Sequence, residues 1–273
     1  MRRYACSPSE MIGSFWRNRQ LIAQMSKREV IGRYRGSVMG VTWSFLNPLL
    51  MLIIYTFVFS VVFKARWGAV QGETRADFAL ILFVGMILHG LMAECLNRAP
   101  GLIVSNVNFV KKIIFPLEVL PWVALGSALF HAAVSMGVLV LAQLLINQNI
   151  PFTAFWLPVV LLPLALATVG LAWFLAALGV YLRDIGQLTT MVTTILLFTS
   201  AVFFPISALP ERYQIFMRLN PLALLIEEAR KVLIFGQWPD LPLLGFLGIL
   251  GFLMAWGGFA WFQKSRRGFA DVL

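Results

Sequence analysis

Residues 119–182, VLPWVALGSALFHAAVSMGVLVLAQLLINQNIPFTAFWLPVVLLPLALATVGLAWFLAALGVYL, contain no Asp, Glu, Lys or Arg. A helix crosses the hydrocarbon core of a bilayer with ~20 apolar residues. This run is far too long for one crossing, and Asn147-Gln148-Asn149 followed by Pro151 divides it. Amide side chains and a proline stop a helix and start a turn. Two spans are therefore predicted, over about 119–146 and 154–182, joined by a tight polar turn.

Outward from this pair, four more apolar stretches of spanning length lie at about 41–63, 78–98, 186–207 and 241–262. Composition agrees: 60% of residues are hydrophobic, 12% are charged and mean hydropathy is +0.83. A soluble domain carries about 25% charged residues, so this chain lacks the charge to coat a water-facing surface. The expected fold is an all-α integral membrane protein with six transmembrane helices in a single domain over residues 1–273.

The formal charge of +10 does not imply nucleic acid, because basic residues in membrane proteins hold the cytoplasmic ends of helices. With both termini inside, 15 of the 22 Lys and Arg fall on the cytoplasmic side and 7 outside. Both termini are therefore expected in the cytoplasm. Cys6 and Cys95 are too far apart in sequence to suggest a metal motif or a redox pair. No short apolar run leads from the basic N-terminus to a small-residue cleavage site, so no signal peptide is read there.

Two regions are neither span nor simple loop. Ser7-Pro8-Ser9-Glu10 starts a helix as a capping box with proline at the first helical position. Over residues 7–35, Met11, Ile12, Phe15, Trp16, Ile22 and Ala23 then share one face. Arg17, Gln20, Gln24, Lys27 and Arg28 share the other. Such a helix lies in the cytoplasmic membrane interface or packs on the rest of the protein. The second region, 211–238, lies between the fifth and sixth spans. Leu222, Leu225, Ile226, Ala229 and Val232 share a helical face there, with Glu227, Glu228, Arg230 and Lys231 off it. It is too charged to span and too apolar to float free. An outer re-entrant helical hairpin satisfies both constraints; a loop resting on the outer surface is the alternative.

No enzyme is visible. None of the six lysines follows a glycine, so the phosphate-binding G-x-x-x-x-G-K-[ST] element is absent. No catalytic constellation, metal site or membrane-buried carboxylate relay stands out. Glu94 is the one acid within a span, and Arg98 four residues later is the favourable order for a helical ion pair. His89 is expected to be packed or hydrogen-bonded. Tyr55, Phe59, Phe63 and Trp67 follow one another at i+4 up the first span. Such rings can offer an apolar face to sugars, or they form an interfacial belt and helix packing.

Several motifs, in this order, resemble those of ABC-2-type permeases, and specifically the exporters of O-antigen, capsular polysaccharide and teichoic acid. Arg33-Tyr34-Arg35-Gly36-Ser37, Met39-Gly40, Trp43 and Pro48 resemble the start of the first span. Asn106, Asn108, Val110-Lys111-Lys112, Phe115-Pro116, Glu118 and Leu120-Pro121 resemble the loop between spans two and three. Tyr181 and Arg183-Asp184-Ile185 match the turn before span five. Phe204-Pro205, Leu209-Pro210, Leu219-Asn220-Pro221, Glu228, Arg230 and Gly236 match the outer hairpin. Glu29 departs from the Asp common in relatives.

The resemblance implies a multi-pass permease of the bacterial cytoplasmic (inner) membrane, without enzymatic activity or cofactor of its own. It implies a homodimer bound to two copies of a separate ATPase, which binds the ATP and Mg. The cargo would be lipid-pyrophosphate-linked polysaccharide, moving along a path at the dimer interface flanked by spans one and five. Tyr55, Phe59, Phe63 and Trp67, with Phe198, Phe203 and Phe204, would line that path. Arg33 and Arg35 would meet the carrier's phosphates at the cytoplasmic mouth, although ordinary positive-inside anchoring explains them equally well. Gly101, Asn106, Asn108, Lys111 and Lys112 would sit in a helix docked on the ATPase. The rivals are an ABC-2-type exporter of a drug or lipid, a secondary transporter and a polytopic membrane enzyme. A secondary transporter should show buried ionisable groups or broken helices, and an enzyme acidic metal-binding motifs.

Overall fold

The computed structural model describes residues 5–62, 75–110 and 115–273, and no strand occurs among them. The first helix, α1 (Pro8–Arg33), starts as predicted, with the Glu10 amide donating to Ser7 Oγ at 3.2 Å. Next come α2 (Trp43–Tyr55), α3 (Arg75–Arg98) and the single-turn α4 (Val107–Val110). The predicted pair of long helices follows as α5 (Val119–Asn147) and α6 (Leu157–Tyr181). Gln148 closes α5 in the left-handed conformation at φ 52°, its amide on the Leu144 carbonyl at 3.1 Å. The polar turn thus stands where the amide cluster placed it.

Among the described residues, five helical segments are long and apolar enough to cross a membrane: Gly40–Phe59, Asp77–Gly101, Val119–Asn147, Phe152–Tyr181 and Leu241–Val272. The last contains α10 (Leu241–Ser265) and α11 (Phe269–Val272). The fifth predicted span differs. Helix α7 (Ile185–Thr199) has 15 residues, about 22 Å at the α-helical rise against a core of ~30 Å. Beyond it Ala201 sits at φ 54°, and the chain stays non-helical until the turn Ile206–Ala208. Two short helices, α8 (Glu211–Arg218) and α9 (Pro221–Leu233), complete the region before α10.

Helix α3 is central, its residues 78–84 almost wholly buried among α5, α6, α7 and α9. The tightest contact joins α6 to α10. A Cβ at Gly258 would lie 2.0 Å from the Gly170 carbonyl oxygen, and one at Gly170 would lie 2.4 Å from that of Met254. Only glycine permits such backbone approach, the device by which helices associate where apolar burial gives no advantage over lipid. A Cβ at Gly179 would lie 2.2 Å from the Pro100 carbonyl oxygen, so the turn after α3 is seated on α6 the same way.

Helix α1 lies along α5. Phe15 packs on Trp122 with ring centroids 4.7 Å apart, and Ser26 Oγ donates to the Val123 carbonyl. Met11, Ser14, Ile22 and Val30 are buried in this contact, whereas Ile12, Trp16 and Ile31 stay exposed. Between α3 and α4 the chain makes turns at Ala99–Gly101 and Val104–Asn106, so α4 is the helix among the described residues of the stretch expected to dock on an ATPase. Pro100 has no amide hydrogen to continue the α3 ladder.

Candidate functional site

Helix α2 carries Pro48 inside and passes after Tyr55 into a π-helical stretch, Thr56–Val62. Wider π turns put i and i+4 out of register, so the α-helical spacing behind the predicted ring stripe stops at Tyr55. Such stretches occur frequently at functional sites. Tyr55 and Phe59 still pack on the same cluster, around Phe78, Ile81 and Leu82 of α3. Phe63 and Trp67 lie outside the described residues.

Rings from the far end of α7 complete the contact. Phe59 stacks on Phe203 with centroids 6.1 Å apart and planes 25° apart, and Phe203 lies 5.5 Å from Phe198. Phe59 is also 5.7 Å from Phe78. Four rings, from α3, the π stretch after α2, the break after α7 and α7 itself, are thus in series, and Phe198 remains exposed. Phe204 is not among them. It packs the other way, with Ala201, Ile206, Met217 and Ala223.

The non-helical backbone after α7 explains how Phe203 is held. Arg230 of α9 is 1% exposed, a correction to the expectation that it lies off the buried face. Its Nη1 donates to the Ala201 carbonyl at 2.7 Å and its Nη2 to that of Val202 at 2.8 Å. Its Nε donates to the Ile81 carbonyl of α3 at 3.0 Å. Carbonyls freed by the break would otherwise be buried unpaired, at a cost of ~1–3 kcal/mol each. Gly85 leaves the space: a Cβ there would lie 2.8 Å from the guanidinium. Asn220 ties both helix ends, accepting from the Leu222 amide and donating to the Thr199 carbonyl at 3.0 Å. Glu228, also 1% exposed, accepts from Lys231 Nζ and from the Asp240 amide. The predicted apolar face of α9 is buried as expected; the buried ions beside it were not anticipated, because no local pattern distinguishes them from solvated charges.

At the C-terminal end of α3, the predicted Glu94–Arg98 pair does not form. Glu94 accepts from Arg33 Nη1 at 2.5 Å and from His131 Nδ1 at 2.8 Å, and Arg98 pairs instead with Glu29 of α1. Packing of α1 beside α3 and α5 supplies closer partners than the helix itself. With Nδ1 of His131 donating to the carboxylate, Nε2 accepts from the Tyr34 hydroxyl at 3.2 Å. Burial pushes the Tyr34 pKa up, keeping it a donor. Arg35, the next residue, is exposed. Glu118 anchors the N-terminal part of α1. It accepts from Ser14 Oγ at 3.3 Å and from Arg266 at 2.6 Å, and its carbonyl accepts from Trp173 Nε1. His89 donates to the Thr193 carbonyl at 2.9 Å, hydrogen-bonded as expected.

Of the residues expected to contact an ATPase, Gly101 and Asn106 lie in the turns after α3, Asn108 lies in α4, and Asn106 Nδ2 donates to the Leu102 carbonyl. Lys111 and Lys112 lie outside the described residues. Among the described residues no three His, Cys, Asp or Glu converge as metal ligands. The arrangement as a whole offers ring faces, a ring-bearing break and a polar cluster.

Comparison with known proteins fits this picture. The chain is similar to the O-antigen export system permease protein RfbA of Myxococcus xanthus, 24% identical over 265 residues, 96% of this chain and 99% of that protein. It is also similar to the polysialic acid transport protein KpsM of Escherichia coli, 23% identical over 245 residues, 88% of this chain and 91% of that one. The capsule polysaccharide export inner-membrane protein CtrC of Neisseria meningitidis serogroup A is 19% identical over 206 residues, 75% of each. The family model described as ABC-2 type transporter matches residues 20–234. By that match, spanning α2 to α9 and the ring contact between them, the chain belongs to the ABC-2 type transporter family.

Proposed function

We propose that the chain is the membrane-spanning permease subunit of an ATP-driven exporter that moves lipid-linked polysaccharide across the bacterial cytoplasmic membrane. The observation that carries this is similarity over 75–96% of the chain with proteins named for O-antigen export, polysialic acid transport and capsule polysaccharide export. The ring series suits a sliding polymer, because aromatic faces orient sugars without gripping them. In this reading α7 with residues 200–209 makes a sixth crossing, and both termini are cytoplasmic by the Lys and Arg bias. Helices α8 and α9 form an outer re-entrant hairpin, whose Arg230 satisfies the broken backbone that hydrocarbon would not tolerate.

The working unit is a homodimer with two copies of a separate ATPase. Tyr55, Phe59, Phe198 and Phe203 line the path, and Arg33 and Arg35 meet the phosphates of the lipid carrier at the mouth. Gly101, Asn106 and Asn108, with Lys111 and Lys112, receive the ATPase. Their turns are seated on α6 through Gly179, so movement of the ATPase passes directly into the helix bundle.

Cells lacking the chain are expected to retain polymer in the cytoplasm and to recover surface polymer when it is restored. The purified chain should hydrolyse ATP only when the partner ATPase is added. Normal surface polysaccharide in the deletion strain would overturn the reading.

A further inference from the structure

The chain enters α5 through the bend Phe115-Pro116-Leu117-Glu118, and one side chain holds that bend at both ends. Arg266, at the end of α10, donates from Nη1 to the Glu118 carboxylate at 2.6 Å and from Nη2 to the Phe115 carbonyl at 2.9 Å. The side chains of Arg266 and Glu118 are only 11% and 12% exposed. A planar guanidinium fork fixes the separation of its two acceptors, so Phe115 and Glu118 move together.

Each end of the bend leads to a different element. The Phe115 ring stacks on Phe109 of α4, with centroids 4.2 Å apart and planes 12° apart. At the other end, Glu118 accepts from Ser14 of α1 through its second carboxylate oxygen, and its carbonyl accepts from Trp173 of α6 at 3.0 Å. Rings continue the contact: Phe15 of α1 lies on Trp122, Trp122 is 5.3 Å from Trp173, and Trp173 is 5.2 Å from Phe259 of α10. One connected series thus joins the single turn α4 to α1, α6 and α10. Stability alone is a weak reason for it, because the desolvation of a buried ion pair offsets its attraction. What the fork supplies is a fixed relation between the ring that meets α4 and the carboxylate that meets α1.

We propose that Arg266 and Glu118 are positioning residues, which carry a displacement of α4 into α1 and the α6–α10 pair. This route is separate from the seat of the preceding turn on Gly179. Close-packed interiors transmit strain, and coupling travels through contiguous packed and hydrogen-bonded groups. Only the source of the displacement, an ATPase moving against α4, rests on the function proposed above.

Two variants cut the route at different points. Arg266→Lys keeps a charge beside Glu118 but cannot hold both acceptors. Phe109→Leu removes the ring stack at a half-buried position and leaves the ion pair untouched. The first measurement is amide hydrogen exchange of the full chain in detergent, which reads local opening. Exchange over residues 11–18 of α1 should rise about tenfold in Arg266→Lys, the worth of one charge-assisted hydrogen bond. It should rise about threefold in Phe109→Leu, the worth of an aromatic contact. The double variant should match Arg266→Lys alone, because both changes interrupt one series, and α9 should be unchanged throughout. Faster exchange confined to residues 115–120, or effects that multiply in the double variant, would overturn the route. The second measurement is polymer exported per ATP hydrolysed by the chain with its partner ATPase. Phe109→Leu should lower that ratio about threefold while hydrolysis persists, and Phe109→Tyr should restore it. A wild-type ratio in Phe109→Leu removes the transmission role. A wild-type complex that neither hydrolyses ATP nor exports polymer counts against the function proposed above, and the exchange result still decides the route.

Discussion

Helices α6 and α10 meet backbone to backbone, whereas α2 and α7 meet through rings at the edge of a break. In the first pair Gly170 and Gly258 leave no space between the main chains. In the second, a π stretch faces a helix that stops at Thr199, and the exposed Phe198 closes the ring series. Close-packed interiors deform little and transmit strain; broken helices with satisfied carbonyls can rearrange without leaving bare backbone in lipid. The molecule thus divides into a pair of helices in backbone contact and a softer pair joined through rings.

The largest effect should come from the rigid pair. Gly258→Leu must force α6 and α10 apart, because even a Cβ would lie 2.0 Å from the Gly170 carbonyl oxygen. Overpacking by a whole side chain costs more than about 3 kcal/mol, and the protein should fail to accumulate in membranes. Gly245→Leu, in the same helix but facing open space, should accumulate normally. Equal abundance of the two variants would break the distinction.

Next comes the clasp on the break. Arg230→Gln strips donors from three carbonyls and should cost about 3 kcal/mol, lowering both the thermal midpoint in detergent and export. Arg230→Lys should recover only part of either, since an ammonium cannot reproduce the fork. Full stability in Arg230→Gln would mean that the break does not depend on its clasp.

The rings should behave differently, with transport affected more than stability. Phe198→Ala removes an exposed ring, so unfolding should shift by no more than ~0.5 kcal/mol. Export should slow about fivefold, the equivalent of ~1 kcal/mol per ring contact, and Phe198→Tyr should restore it. Polymer export measured beside thermal unfolding separates the two roles. An unfolded Phe198→Ala protein would move α7 into the rigid class.

The smallest effect sharpens the comparison within α7 itself. Thr194 Oγ1 donates only to its own helix, at the Thr190 carbonyl, whereas Thr193 Oγ1 reaches Asn97 of α3. Thr194→Ala should be neutral within ~0.5 kcal/mol, and Thr193→Ala should cost about 1 kcal/mol, both read by thermal unfolding.

The sequence by itself determined what depends on the local choice between water and hydrocarbon. Uncharged runs marked the long helices, Asn147-Gln148-Asn149 and Pro151 marked the turn, and Ser7 and Pro8 marked the start of α1. The buried apolar face of α9 was readable because its residues repeat at helical spacing. Only the tertiary structure decided which partner each charge meets. Glu94 had Arg98 one turn away and took Arg33 and His131 instead, and Arg230 looked like a solvated charge but sits wholly buried on carbonyls of α3 and the break. The end of α7 at Thr199 was equally invisible, since residues 200–207 are as apolar as a continuing helix. Burial in lipid is an additive property of a segment, and composition reports it. The satisfaction of a buried charge or a freed carbonyl is a pairing between distant elements, which exists only once the chain has brought them together.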